Sequence, residues 1–300
     1  MKIQARESIL KINNPSTKQF LDIWKQYQPF LIENVAEHWD ACNNWSNDYL
    51  IKHCGNKMIS IWFFQKGFLG DYKKFAYDNG SYYIKEMQYK EYIKDIEDRV
   101  NENNNDDIGC YSNEIDFEDR FPELVGDVTY PKYLNRKPWV NLWHGFSSKN
   151  FTSASTLHFD RVHNVYAQIR GRKRFLLFPP SNYLSFYPPL EENSGIGHNS
   201  KVNPDLLQLE LFPKFPWQER IEVVLQPGEI LYIPPFWWHH VTAIDENISL
   251  SFWYDLKIQD FFKQKNMLSV FLNIAPHYLN HAISSGSVMD IMDLLKGIIS

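Results

Sequence analysis

Cysteine is scarce in this sequence: Cys42, Cys54 and Cys110 are the only three, they stand far apart, and none forms a CxxC pair. An odd number of scattered cysteines excludes a disulfide framework as the basis of the fold, and free thiols in a reducing cytoplasm are expected. Long apolar runs are also absent. No stretch approaches the ~18 uninterrupted apolar residues of a membrane helix, and the opening MKIQARESILKINNPS has no signal-peptide core. The expectation is a soluble, cytoplasmic protein with no membrane partner. Positive charge is not in excess either. The net charge is -5 and the sequence pI about 6.1, so the chain as a whole is not attracted to phosphate backbones and nucleic acid is disfavoured as a partner.

Aromatic residues, by contrast, are abundant: 10 Trp, 17 Tyr and 21 Phe make up 16% of the chain. Such a composition suits a sheet-rich core and an enclosed, partly apolar pocket. From Ser16 to Leu31 the residues Phe20, Leu21, Trp24, Tyr27 and Phe30 recur at helical intervals behind a cap at Ser16 or Thr17, with a strand at Pro29 to Ile32. A second short helix is expected around Trp45 to His53, a strand over Lys57 to Phe64, and a helical pattern over Tyr82 to Arg99. The polar tract NENNNDD that follows reads as a surface loop.

In the middle of the chain the period changes to two. Val165, Ala167 and Ile169 alternate with Tyr166, Gln168 and Arg170; Gly171 interrupts, and Phe175 to Phe178 forms a second apolar strand. This reads as a hairpin. Strands follow at EILYIP, after the turn at Pro227-Gly228, and at Ile248 to Tyr254. The fold class expected is mainly β with flanking helices, an antiparallel sandwich or barrel. After Ile258 the apolar pattern is helical again, in two segments that either pad the core or form a dimer surface.

The sharpest chemical feature is His158-Phe159-Asp160, with His239-His240 much further on. In a strand, residues i and i+2 face the same way, so His158 and Asp160 can point into one cavity. One more imidazole makes a two-histidine, one-carboxylate set, which leaves coordination positions open for a co-substrate and oxygen. Lys173, in RGRKRFLLF, shares a face with Phe175, whereas Arg172 and Arg174 share the other. It either binds the far carboxylate of a dicarboxylate or belongs to a solvated basic cluster.

The runs LHFDRVHNVYAQIRGRKRFLLFPP, VNPDLLQLELFPKFP, LQPGEILYIPPFWWHHV and SLSFWYD, preceded by FPELVGDVTYPKYL, resemble the core of the Jumonji-C, cupin-like protein hydroxylases, including factor-inhibiting-HIF-like and arginyl-hydroxylase-like members. The resemblance runs from about Cys110 to Tyr254. It implies a double-stranded β-helix core over residues 110–256, an N-terminal mixed α/β region over 1–109 packing on it, and C-terminal helices over 257–300. It also implies iron(II) as metal, 2-oxoglutarate as co-substrate and O2 as oxidant.

Carried over residue by residue, the resemblance makes His158, Asp160 and His239 the metal ligands. His239 is preferred to His240 because the family ligand directly follows the Trp, here Trp238. Lys173 and Tyr111 match groups that bind the 2-oxoglutarate carboxylate. Ser155 occupies the position of a co-substrate hydroxyl and Asn164 that of a polar residue near the iron-bound end; Ser251 and Trp253 flank the metal. The stretch from Trp143 to His158 is longer than is usual in the family, so Trp143 and the loop Ser147 to Ser153 have no aligned counterpart.

His163 and His240 are expected to pack beside the site, and His144 and His198, read as loop residues, have no assigned role. The run Phe236-Trp237-Trp238 is expected to divide between opposite faces. The implied function is a dioxygenase that hydroxylates an amino-acid side chain in a protein or peptide; the alternatives are a tRNA nucleoside hydroxylase and a non-enzymatic cupin binding module. Homodimerisation through the C-terminal helices is the expected assembly.

Overall fold

The computed structural model describes residues 9–65, 82–101, 108–146, 155–189, 198–206 and 208–256, with positions 270, 272, 273 and 276. Two sheets organise them. The larger contains, in spatial order, β1 (Leu10–Asn13), β2 (Phe30–Glu33), β10 (Ile230–Ile233), β7 (His163–Arg170), β12 (Asn247–Tyr254), β6 (Trp139–Gly145), β5 (Ile108–Asp116), β3 (Met58–Gln65) and β4 (Tyr82–Gln88). The smaller contains β11 (Trp238–Ala243), β8 (Lys173–Phe178) and β9 (Ile221–Leu225). Every pairing is antiparallel except β1 with β2. This mainly β architecture, with helices outside, is the cupin-like jelly-roll core that the sequence implied.

Alternation of side chains divides the molecule into layers. Val165, Ala167 and Ile169 of β7, Ile230 and Tyr232 of β10, and Ile248, Leu250, Phe252 and Tyr254 of β12 form an outer core. Helices α1 (Thr17–Trp24), α2 (Asp40–Asn44), α3 (Asn47–Cys54) and α4 (Tyr89–Asn101) cover it, with Phe20, Trp24, Leu50, Tyr92 and Ile96 among the buried contacts. The intervening residues Tyr166, Leu231 and Ile233 face the other way and meet Phe175 and Leu177 of β8 and Val223 and Leu225 of β9. Behind the small sheet, Leu176, Phe178 and Trp238 pack on Phe159, Tyr183, Phe186 and Phe215. As the period-two argument required, Phe236 and Trp238 go to this rear cluster, while Trp237 joins the core between the sheets.

The N-terminal helix begins where its cap signals it. Ser16 accepts from the Gln19 N–H at 3.3 Å while the Gln19 side chain accepts from the Ser16 N–H at 2.9 Å, a capping box. It ends at Trp24, and Tyr27, at φ +51°, turns the chain into β2. Further on, the Tyr82 to Arg99 segment departs from expectation: its first half is strand β4, which pairs with β3, and only Tyr89 onward is helical. Sheet pairing overrode the local spacing.

The expected hairpin across Gly171 is also corrected. β7 already has β10 on one edge and β12 on the other, whereas β8 pairs with β11 and β9. The chain therefore passes from the large sheet to the small one at Gly171. That residue sits at φ +65°, and a Cβ there would lie 1.9 Å from the Glu246 carbonyl oxygen. His144, expected in a loop, lies in β6 and is fully buried, with Nδ1 2.8 Å from the Tyr89 hydroxyl.

The apolar segments after Ile258 that suggested a dimer surface lie largely outside the described residues, as do residues 67–80 and 147–153; Val270 is buried behind the small sheet. No helix among the described residues is long and apolar enough to cross a membrane.

Candidate active site

His158 and His239 are joined through their backbones. The His158 N–H donates to the His239 carbonyl at 3.0 Å and the His239 N–H donates back at 2.7 Å, the reciprocal pair of an antiparallel bridge. On its other side the His158 segment pairs with residues 198–200, through Phe159 N–H to His198 C=O at 3.0 Å and Ser200 N–H to Leu157 C=O at 2.8 Å. Two residues beyond His158, Asp160 accepts at its carbonyl from the Phe236 N–H at 2.8 Å.

Each imidazole is held by a neighbouring carbonyl: His158 Nδ1 by Thr156 at 2.8 Å and His239 Nδ1 by Trp237 at 2.9 Å. A carbonyl only accepts, so both Nδ1 atoms carry a proton and, in the form that ligates a metal, each Nε2 presents its lone pair. Those Nε2 atoms lie 4.0 Å (His158) and 3.6 Å (His239) from the Asp160 carboxylate oxygens. The three ligand atoms are all within 4.8 Å of one another. Burial, reinforced by His158, pushes the His239 imidazole down to about 4, so it is neutral at neutral pH, the form that ligates.

The triad lines a cavity of about 280 Å³ that also holds Tyr111, Ser155, Asn164, Lys173, Ser251 and Trp253. Lys173, only 1% exposed, donates to the hydroxyls of Tyr166 at 2.6 Å, Tyr111 at 2.9 Å and Ser249 at 3.0 Å. Among the described residues no carboxylate pairs with it, and burial pushes its ammonium down to about 7. A buried cation surrounded by neutral hydroxyls is a receptor for an anion. Arg174, on the opposite face, pairs with Asp205, so strand alternation separates Lys173 from the basic cluster.

The remaining positions have distinct surroundings. The Ser155 hydroxyl accepts from the Val241 N–H at 3.0 Å, leaving its own proton to donate. The Ser251 hydroxyl accepts from Trp143 Nε1 at 2.8 Å. Asn164 Oδ1 and Trp253 Nε1, on cross-strand partners of β7 and β12, are buried and have no hydrogen-bond partner among the described residues. They are polar groups of the cavity wall with unused capacity.

A family model described as a cupin-like domain matches residues 16–260. The chain belongs to the cupin-like, Jumonji-C family of iron(II)- and 2-oxoglutarate-dependent oxygenases. It is 30% identical over 261 residues to lysine-specific demethylase 8 of Xenopus tropicalis, an alignment covering 84% of this chain and 54% of the relative. JmjC domain-containing protein D of Dictyostelium discoideum is 30% identical over 259 residues, covering 79% and 54% respectively. tRNA wybutosine-synthesizing protein 5 of Mus musculus is 24% identical over 266 residues, covering 83% and 79%. The chain spans about half the length of the first two relatives.

Members of this family use iron(II) and 2-oxoglutarate. The donor set of this cupin-like chain, two imidazole nitrogens and one carboxylate, fits iron(II), and the buried lysine fits a dicarboxylate. Several wall residues had no sequence signal. His198 lines the cavity through its pairing with the His158 segment, and Tyr166 and Ser249 complete the lysine's shell. Trp62 and Trp143 also line it, the latter stacked on Tyr111 at 5.9 Å. His163 is buried beneath the sheet, stacked on Trp24 at 4.2 Å, and His240 binds Asp205 at 2.9 Å, so neither faces the triad.

Proposed function

We propose that this chain is an iron(II)- and 2-oxoglutarate-dependent dioxygenase that hydroxylates an amino-acid side chain in a protein or peptide. The observation that carries this reading is one cavity containing both the His158, Asp160, His239 set and the buried Lys173. Iron(II), 2-oxoglutarate and O2 together supply the oxidising power that inserts oxygen into a C–H bond.

The protein's own part is to bind, orient and enclose. His158, Asp160 and His239 hold the metal. Lys173, with Tyr111, takes the far carboxylate of the co-substrate. Lys173 is in register with Ala243, four residues along β11 from His239, so roughly 13 Å of strand separates the two levels. A lysine stem and a five-carbon dicarboxylate together bridge that length. Ser155 and the Asn164 amide, which line the same cavity, are assigned to orient the co-substrate near the metal, with Ser251 and Trp253 flanking it. Trp62, Trp143 and Trp253 make much of the wall apolar, which excludes water from the reacting groups.

A protein or peptide substrate is favoured by the net charge of -5 and by the similarity to a relative named as a lysine-specific demethylase. A second reading, hydroxylation of a tRNA nucleoside, draws support from the alignment that spans 79% of tRNA wybutosine-synthesizing protein 5. Incubation of the protein with iron(II), 2-oxoglutarate and 18O-labelled O2, with lysate peptides in one vessel and bulk tRNA in another, separates them by mass spectrometry. Label in a peptide side chain is the expected result; label only in tRNA selects the second reading, and no succinate in either vessel overturns both.

A further inference from the structure

We propose that Gly145 is a positioning residue for 2-oxoglutarate: its bare backbone is the surface on which the Tyr111 ring lies, and a side chain there would withdraw the Tyr111 hydroxyl from Lys173. The inference rests on the proposed co-substrate role of Lys173 and Tyr111 and adds a residue that makes no contact of its own with the ligand.

Gly145 and Tyr111 are register partners in the antiparallel pair β6 and β5. Gly145 has the same parity along β6 as Trp143 and Asn141, so a side chain there would rise from the inner face of the sheet. Glycine in a strand interior weakens the strand and commonly marks a close approach of another group. Here that group is the tyrosine ring: a Cβ on residue 145 would lie 2.1 Å from Tyr111 Cδ2 and 2.6 Å from Cε2. Carbon atoms in contact prefer about 3.5–4.0 Å, so ring and methyl cannot both stay.

The ring must yield, because the strand is held more firmly. β6 is hydrogen-bonded on both edges, to β5 and to β12, and the Gly145 carbonyl accepts from Asn247 Nδ2 at 3.1 Å. Yet the position of the ring matters to the cavity. Its hydroxyl accepts from Lys173 at 2.9 Å, its face lies 5.2 Å from the same ammonium, and it stacks on Trp143. Displacing it removes one of the three hydroxyls that hold Lys173 and opens the wall beside the dicarboxylate.

A four-protein cycle tests this: wild type, Gly145→Ala, Tyr111→Ala and the double variant, each titrated with 2-oxoglutarate in the presence of manganese(II). Gly145→Ala should raise the 2-oxoglutarate Kd about tenfold or more while manganese(II) affinity stays at the wild-type value. In the Tyr111→Ala background, where no ring remains to be displaced, the same substitution should add nothing. The thermal midpoint should follow the same pattern, lowered by Gly145→Ala only when Tyr111 is present. Equal weakening in both backgrounds, or wild-type affinity in Gly145→Ala, overturns the proposal. If Gly145→Ala does not fold, folding of the double variant supports the steric coupling and failure of both overturns it. Failure of the co-substrate reading looks different: wild type itself would then show no saturable 2-oxoglutarate binding.

Discussion

His239 and His240 are neighbours in the chain whose imidazoles serve opposite faces of β11: His239 Nε2 lies 3.6 Å from Asp160, and His240 Nε2 lies 2.9 Å from Asp205. Burial acts to raise the Asp205 carboxyl, but His240 and Arg174 outweigh it and hold it at about 2. The two histidines are therefore separable. His239→Ala should lose iron(II), whereas His240→Ala should keep it and instead cost about 1–3 kcal/mol of stability by leaving a half-buried carboxylate short of a partner. Metal content and urea unfolding of the two variants check this, and equal metal loss in both would refute it.

Asp160 supplies the only carboxylate of the triad. Its removal leaves two imidazoles, too few ligands for tight iron(II), so Asp160→Ala should abolish both metal retention and succinate formation. Turnover at the wild-type level would sink the assignment.

Lys173→Ala removes the buried cation but none of the metal donors. Iron(II) affinity should persist while 2-oxoglutarate binding weakens strongly, by about 2–5 kcal/mol as for other buried charge pairs losing one partner. Calorimetric titration of each ligand in turn distinguishes the two effects.

Burial holds the Lys173 ammonium near 7, against an ordinary 10.5. Its other neighbours in the shell, Tyr111 and Tyr166, are pushed above their ordinary range by the same burial and carry no charge at neutral pH. The ligand-free lysine thus sheds its proton as pH rises through about 7, while a bound dicarboxylate retains it. Affinity for 2-oxoglutarate should fall above that pH, by at most about tenfold per unit, with proton uptake visible as a buffer-dependent binding enthalpy. For ligand-free stability the sign is opposite: between about 7 and 10.5 the unfolded chain binds the extra proton, so this group makes the fold more stable as pH rises through that window. A flat affinity profile from pH 6 to 9 would count against the buried, unpaired ammonium.

Gly171→Ala should destabilise the fold by at least about 1–2 kcal/mol, the cost of a left-handed conformation for an ordinary residue, with the clash against Glu246 added. Thermal unfolding reads this directly, and an unchanged midpoint would show that the passage between sheets tolerates a side chain.

Much of this molecule is written in periodicities of two. The alternation HFD puts His158 and Asp160 on one side, KRF puts Lys173 inward and Arg174 outward, and SFW brings Ser251 and Trp253 to the same wall. These relationships are local, because a strand turns each successive side chain over regardless of what it pairs with. What pairs with what was not local. A strand, a glycine and a strand satisfy the pattern of a hairpin and of a passage between two sheets equally well, and only the edges already occupied by β10 and β12 sent β8 to the other sheet. The same limit hid His198, which reaches the cavity through a backbone bridge to a distant segment, and Gly145, whose importance exists only because Tyr111 lies across it. The face each chemical group takes follows from its place in the alternation and is legible residue by residue; which faces meet is not, because pairing depends on competition among strands far apart in the chain.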